Sequence, residues 1–186
     1  RKEYVVTDTD GKQLKVDNNF IMSPNDINTI DFTDQLLDSG VRVFKIEGRG
    51  RSPEYVATVI KAYRAAIDAV QDGTYGKEFV EGLMPELEKV YNRGFSSGYY
   101  LGREQGWAEA DGNKSPYRKV YVGPINKYFG KAGIAEVESC AGALSVGDEY
   151  IIVGKTTGAV QGVVSEMRSL QGEEMLKAES IKRGDL

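Results

Sequence analysis

Residues 41–72, VRVFKIEGRGRSPEYVATVIKAYRAAIDAVQD, constrain the fold of this chain more than any other stretch. Val41, Val43, Phe44 and Ile46 surround Lys45 in a run that reads as a buried strand, and the run ends in the charged turn Glu47-Gly48-Arg49-Gly50-Arg51. Ser52 is a natural N-cap, and Pro53 suits the first helical position, where its missing N–H costs nothing. Val56, Val59, Ile60, Tyr63, Ile67 and Val70 then recur at three- and four-residue spacing and predict one apolar helix face. Asp72-Gly73 supplies the stop. Strand, turn and helix have the form of one β/α step of a parallel α/β fold. The charged residues fall where strand gives way to helix, which is where such folds keep their chemistry.

The flanking sequence repeats the pattern. Tyr4-Val5-Val6-Thr7 and Leu14-Lys15-Val16 read as strands joined by a hairpin turn at Thr9-Asp10-Gly11-Lys12. Phe20-Ile21-Met22 reads as a buried strand, and Ser23-Pro24 predicts a short helix over 24–30. Thr33 or Asp34 caps another helix that runs through Gln35, Leu36 and Leu37 to Ser39-Gly40. Residues 20–40 and 41–72 are thus two successive β/α steps, which imply parallel strands with right-handed crossovers. Two steps cannot close a barrel, which needs eight. The chain also starts at Arg1 without methionine, in a segment already reading as a strand, so a piece of a longer protein is expected.

A further helix is predicted over 77–92 from Phe79, Leu83, Leu87, Val90 and Tyr91, with a kink or break at Met84 imposed by Pro85. Glu78, Glu81, Glu86 and Glu88 form its solvated face. Residues 95–107 (FSSGYYLGREQGW) read as a connector that packs its rings into the core; the alternative is a surface offering them to a flat ligand or to bases. Residues 108–116 are polar and read as a linker. From Tyr117 onward, strand-like runs at 120–123, 133–137, 150–153 and 160–167 are separated by turn signals at 126–131, 146–148 and 154–158. Short strands at this spacing indicate a small antiparallel barrel. The expected domains are therefore 1–107, an α/β part of a (β/α) barrel, and 117–186, a small β-barrel.

Composition removes several chemistries. The chain has no histidine, which excludes histidine triads, histidine general bases and most zinc sites built from it alone. Its single cysteine, Cys140, excludes an internal disulfide, fits a reducing, cytoplasmic setting, and reads as a small packed side chain rather than a reactive thiol. A net charge of −4 gives no overall pull toward nucleic acid or anionic membrane. No apolar run approaches the roughly 20 residues of a membrane span.

The candidate chemistry lies at the strand ends. Glu47 is placed to act as a general base or to hold a polar ligand group, with Lys45 beside it. Arg49 and Arg51 suit forked binding of a phosphate or carboxylate near a helix N-terminus. The alternative is a salt-bridged strand end that only fixes the turn. Ser23 and Asp26 end the preceding strand at the same rim; a helix cap and an exposed first-turn acid are the structural alternative. No metal-ligand constellation and no phosphate-binding glycine motif is present.

Phe44-Lys45-Ile46-Glu47-Gly48-Arg49, continuing through Arg51-Ser52-Pro53-Glu54-Tyr55-Val56 to Tyr63-Arg64 and Ala66-Ile67-Asp68, resembles the U thirty-two, or collagenase-like, peptidase family. Met22-Ser23-x-x-Asp26-Ile27 upstream and Asn92-Arg93-Gly94-Phe95 downstream match further segments of that family in order and spacing. The resemblance covers residues 1 to about 102, and 119–167 is similar to the β-barrel that follows in many members, itself like the second domain of elongation factor Tu. It implies a TIM-like barrel of which this chain supplies the last strands. It implies a site that includes Lys45, Glu47, Arg49, Arg51 and Arg93, and one of two activities for the parent: peptide hydrolysis, or hydroxylation of tRNA or ribosomal RNA bases. The second uses cysteines, upstream in the family, to hold a four-iron four-sulfur cluster, and this chain has none of them. No cofactor is therefore expected in this chain. The expected partners are the missing N-terminal half or a second copy, with peptide or RNA as substrate and no membrane. The isolated chain is expected to be inactive. The modest charge of the small barrel gives the RNA reading little support.

Overall fold

A computed structural model describes residues 4–16, 23–102, 108, 112–171 and 174–181. The strand expected at Phe20, Ile21 and Met22 lies outside the described residues. The chain divides into two compact units, Arg1–Tyr117 and Arg118–Leu186. It combines helices with small, mostly antiparallel sheets, and no barrel closes among the described residues.

In the first unit, β1 (Tyr4–Thr7) and β2 (Gln13–Val16) form the expected hairpin. The Asp8 carboxylate accepts the N–H groups of Asp10 and Lys12 and so fixes the turn. The helix expected over 24–30 is not formed. Instead β3 (Asp26–Ile27) pairs in parallel with β4 (Phe95–Ser96). Asn28 Oδ1 accepts the N–H of Ile30, and helical structure begins only there, as a 3-10 turn at Ile30–Phe32 that leads into α1 (Thr33–Asp38). The Ser23-Pro24 cap signal is thus overruled by tertiary pairing of Asp26 with a strand far along the chain.

Helix α2 (Pro53–Gln71) starts after Ser52, which has the extended backbone of an N-cap, and ends at Asp72 with Gly73 at positive φ. Its buried face is rotated from the expected one. Val59, Ala62, Ala66 and Ala69 are buried, whereas Ile60 is half-exposed. The alanines let neighbouring elements approach closely, and the large β-branched residues fall to the side. Helix α3 (Lys77–Lys89) runs unbroken through Pro85, so the expected break is absent. Its four glutamates are exposed as expected. Together α2, α3 and the 3-10 turn enclose a core of Ile30, Val59, Ala62, Ala66, Val80 and Leu87.

Residues 41–48 form no regular element and join no ladder among the described residues, so the expected strand is not assigned there, but their exposure alternates. Their period is two. Phe44 and Ile46 turn inward, with the Phe44 ring 6.2 Å from that of Tyr63, while Val43, Lys45 and Glu47 face out and Val43 is 83% exposed. The expected strand is thus present in its alternation of inward and outward residues but not as an assigned strand. The stretch expected as a linker is tied to the first unit: Lys114 N–H donates to Asn92 O, and Ser115 Oγ to Lys89 O.

The second unit is a set of ribbons. They are β5 (Ile125–Phe129) with β6 (Ile134–Val137), β8 (Glu149–Gly154) with β9 (Gly158–Val163), and β10 (Met167–Gln171) with β11 (Glu174–Ala178). β7 (Leu144–Ser145) pairs with β12 (Ser180–Ile181), a non-local closure. β5 occupies residues expected as a turn; the actual turn lies at 130–133, with Gly133 at positive φ. Residues 120–123 are not a strand, but Gly123 runs so close to the partner strand that a Cβ there would sit 1.6 Å from Glu138 O. Cys140 is exposed rather than packed.

Candidate functional site

The polar focus of the first unit is Asp26. The parallel pairing puts it beside Arg93: Asp26 N–H donates to Gly94 O at 2.8 Å, and Asn28 N–H to Ser96 O at 2.9 Å. Its carboxylate then accepts the Arg93 backbone N–H at 3.0 Å, Arg93 Nε at 3.0 Å and Arg93 Nη2 at 2.7 Å. Arg51 Nη2 approaches the same Oδ1 more loosely, at 3.4 Å. The Asp26 side chain is only 15% exposed, so these charge-assisted bonds are sheltered from water. Arg51 is also held from its faces, with its guanidinium carbon 3.9 Å from the Tyr91 ring centroid and 5.4 Å from that of Tyr55. Burial pushes the Tyr55 hydroxyl above its ordinary range.

Asp26, Arg51 and Arg93 are thus brought together as one network. Asp26 is occupied by two cations, which makes it an anchor for the arginines rather than a base. The other candidates stand apart from it. Glu47 Oε1 accepts the Arg49 N–H at 2.7 Å, and Arg51 N–H donates to Gly48 O at 2.9 Å, so Glu47, itself exposed, braces the turn. Gly50 supplies the positive φ that this turn requires. Lys45 and Arg49 are exposed. Ser23 contributes its carbonyl oxygen, which accepts the Ala108 N–H at 2.8 Å.

Three further residues belong to the site and were not singled out from residue types. Tyr55 lies four residues after Arg51, in the first turn of α2, and Tyr91 lies two residues before Arg93. Asn92 is buried and fully engaged. Its side chain donates to Glu88 O and Val90 O and accepts the Gly94 N–H, while its own N–H donates to Asn113 Oδ1. The spacing of Tyr55 from Arg51 was the available signal; nothing local marked Tyr91. The Tyr99 and Tyr100 rings, expected in the core, are 69% and 62% exposed, because the connector turns outward after Phe95.

A cavity of about 40 Å³ lies beneath the network, lined by Asp26, Asn28, Tyr55, Tyr63, Tyr91 and Phe95 among others. It has room for water-sized guests and none for a peptide side chain or a base. Deeper in, Tyr63 OH donates to Asn28 Oδ1 and accepts the Thr29 N–H, and burial raises its pKa. Among the described residues no group of three or more His, Cys, Asp or Glu is arranged to hold a metal ion. A four-iron four-sulfur cluster is held by cysteine thiolates, and one cysteine in the whole chain does not fit it. No helix among the described residues is long and apolar enough to cross a membrane.

An α/β unit with a carboxylate-anchored arginine pair at its strand ends, followed by β-ribbons, is the class of protein that the geometry defines. The model of peptidase family U32 matches residues 1–109, and the chain belongs to that family. It is 47% identical over 170 residues to a protein of Porphyromonas gingivalis named collagenase, a match covering 90% of this chain and 41% of that one. It is 36% identical over 160 residues to an uncharacterized protease of Methanocaldococcus jannaschii, covering 84% and 39%. It is 30% identical over 164 residues to tRNA hydroxylation protein P of Escherichia coli, covering 84% and 34%. The chain therefore spans about two fifths or less of the length of these relatives. No solved structure matches it.

Proposed function

We propose that the chain is the C-terminal part of a longer cytoplasmic peptidase of the collagenase-like kind. Residues 1–107 contribute the last steps of a TIM-like barrel, 108–116 connect, and 117–186 form a β-barrel similar to the second domain of elongation factor Tu. The observation that carries this reading is the alternation at 43–47. One side of the segment packs on α2, and the other presents Val43, Lys45 and Glu47 with no layer above them among the described residues. That is the arrangement of a barrel strand whose inner face belongs to a lumen completed by the preceding half of the protein, or by a second copy of the chain.

In the completed site Glu47 takes the proton of a water attacking the peptide carbonyl, and Lys45, two residues earlier on the same face, stabilises the oxyanion that develops. The remaining donors of Arg51 and Arg93, held in place by Asp26, bind a substrate carboxylate, with Arg49 and Ser23 at the rim. The isolated chain lacks the enclosing wall and is inactive.

Gelatin and peptide-library cleavage test this reading. The longer protein is expected to cleave, Glu47→Gln in it to lower kcat/KM by roughly 100-fold or more, and the 186-residue chain to be inert. Full activity in Glu47→Gln rejects the assignment.

A second reading, RNA base hydroxylation by the longer protein, draws on the relatives named for tRNA hydroxylation and on the exposed Tyr99 and Tyr100 beside β4. Absorption spectra of the anaerobically purified longer protein separate the two; the absence of iron–sulfur absorption removes the second.

A further inference from the structure

Two arginines share Asp26, and they share it unequally. Arg93 puts Nε and Nη2 on one carboxylate oxygen, at 3.0 and 2.7 Å, and its backbone N–H on the other, at 3.0 Å. The pairing of β3 with β4 holds the backbone around that bond. Arg51 has one contact with Asp26, at 3.4 Å, longer than an ordinary charge-assisted hydrogen bond. What holds Arg51 is aromatic. Its guanidinium carbon lies 3.9 Å from the centroid of the Tyr91 ring and 5.4 Å from that of Tyr55. A guanidinium over a ring is attracted through its face and keeps its N–H donors in its own plane, directed away from the ring. The charges are unequal as well. Within this network two guanidinium groups meet one carboxylate, so one positive charge is in excess. The Arg51 and Arg93 side chains are 20% and 30% exposed, which leaves that charge within reach of solvent and largely sheltered from it.

We propose that Arg51 is the residue that grips the substrate carboxylate, exchanging its loose contact with Asp26 for the incoming anion, and that Tyr91 is the positioning residue that keeps its guanidinium in place through the exchange. Arg93 stays on Asp26, so that carboxylate is never left without a partner. The proposal rests on the peptidase reading for the nature of the substrate and narrows it. One arginine makes the contact, and the peptide carries a carboxylate, terminal or on an acidic side chain, at that end of the site. A planar carboxylate matches the fork of a single guanidinium.

The experiment is heteronuclear NMR of the arginine Nε–H groups in the full 186-residue chain. The chain is titrated with N-acetylglycine, whose carboxylate is terminal, and with N-acetylglutamate α-amide, whose carboxylate is on the side chain. A saturable shift of the Arg51 signal is expected with at least one of them, with Arg93 moving much less, and the tighter binder identifies the source of the carboxylate. N-acetylglycine amide, the uncharged control, is expected to move neither. Arg51→Lys, which keeps the charge and loses the fork, is expected to weaken binding at least about tenfold. Tyr91→Leu is expected to weaken it about threefold or more, and Tyr91→Phe, which keeps the ring face, to restore most of that loss. Backbone amide spectra confirm that each variant keeps its fold. None of these readouts needs cleavage, so failure here is distinguished from failure of the Glu47→Gln test. No shift at Arg51, a larger shift at Arg93, or an equal response to the uncharged control overturns the proposal. So does wild-type affinity in Tyr91→Leu, or tighter binding of inorganic phosphate than of either carboxylate.

Discussion

Around Ile30 the first unit has helices on several sides, and around Ile181 the second has two short strands. Ile30 is fully buried, with Val59, Ala62, Ala66, Val80 and Leu87 about it; in the second unit Ile181 and Ser139 are the buried residues among those described. Both units are rich in apolar residues. In the first, helices of matching period bring them to one centre. In the second, each hairpin pairs mainly with its own return strand, so Val153, Val160 and Val163 remain exposed on the ribbon. Most ladder hydrogen bonds of the second unit form within hairpins, but a core needs a second layer, and lone hairpins are only marginally stable in water. The first unit also anchors its polar groups by design of its tyrosines: Tyr63 and Tyr75 serve the backbone of Thr29 and Ile30. That difference predicts where substitutions hurt.

The largest effect is expected at the centre of the first unit. Ile30→Ala should lower its unfolding free energy by about 2–5 kcal/mol, read by urea denaturation with helix circular dichroism as the signal. Next comes the arginine anchor. Asp26→Asn leaves two sheltered guanidinium groups short of their counter-charge and should cost roughly 1–3 kcal/mol; a double-mutant cycle with Arg93→Gln should show coupling, and strict additivity would mean the pair is incidental. Tyr63→Phe removes the hydroxyl between Thr29 and Asn28, for about 1 kcal/mol at neutral pH. Its pH dependence has a definite sign. Because burial raises the Tyr63 pKa above 10.0, its contribution is whole below pH 10 and is lost as pH rises through the folded value. The variant's stability should therefore fall less steeply above pH 10 than the wild type's. The smallest effect is expected in the second unit, where Val160→Ala on a half-covered hairpin should change stability by less than about 1 kcal/mol. A loss there as large as that of Ile30→Ala would show that the ribbons share a core.

The parts legible in the sequence were those written in local signals. Ser52, Pro53 and Asp72-Gly73 bracket α2, and Asp10-Gly11 marks the first hairpin, because caps and turns involve residues only a few positions apart. The buried face of α2 was misread because period alone picks out the larger residues, Val56 and Ile60, whereas close packing selected the alanines. The pairing of β3 with β4 was not legible at all. It joins two-residue strands, and the Asp26–Arg93 bond that accompanies it spans 67 positions. Hence Asp26 and Arg93 were each marked as candidates, but the bond between them, and the stacking of Arg51 on Tyr91, had to be seen in three dimensions.

The segment at 41–48 is where the two kinds of order meet: it has the alternation of a strand and, among the described residues, no strand beside it. Amide hydrogen exchange measured on the 186-residue chain and on the longer protein tests this directly. In the chain alone, amides of 42–48 should exchange far faster than those of α2. In the longer protein they should be protected on the order of 100-fold or more by new ladder partners. Equal exchange in both proteins would contradict the barrel strand and, with it, the placement of Lys45 and Glu47 on a catalytic face.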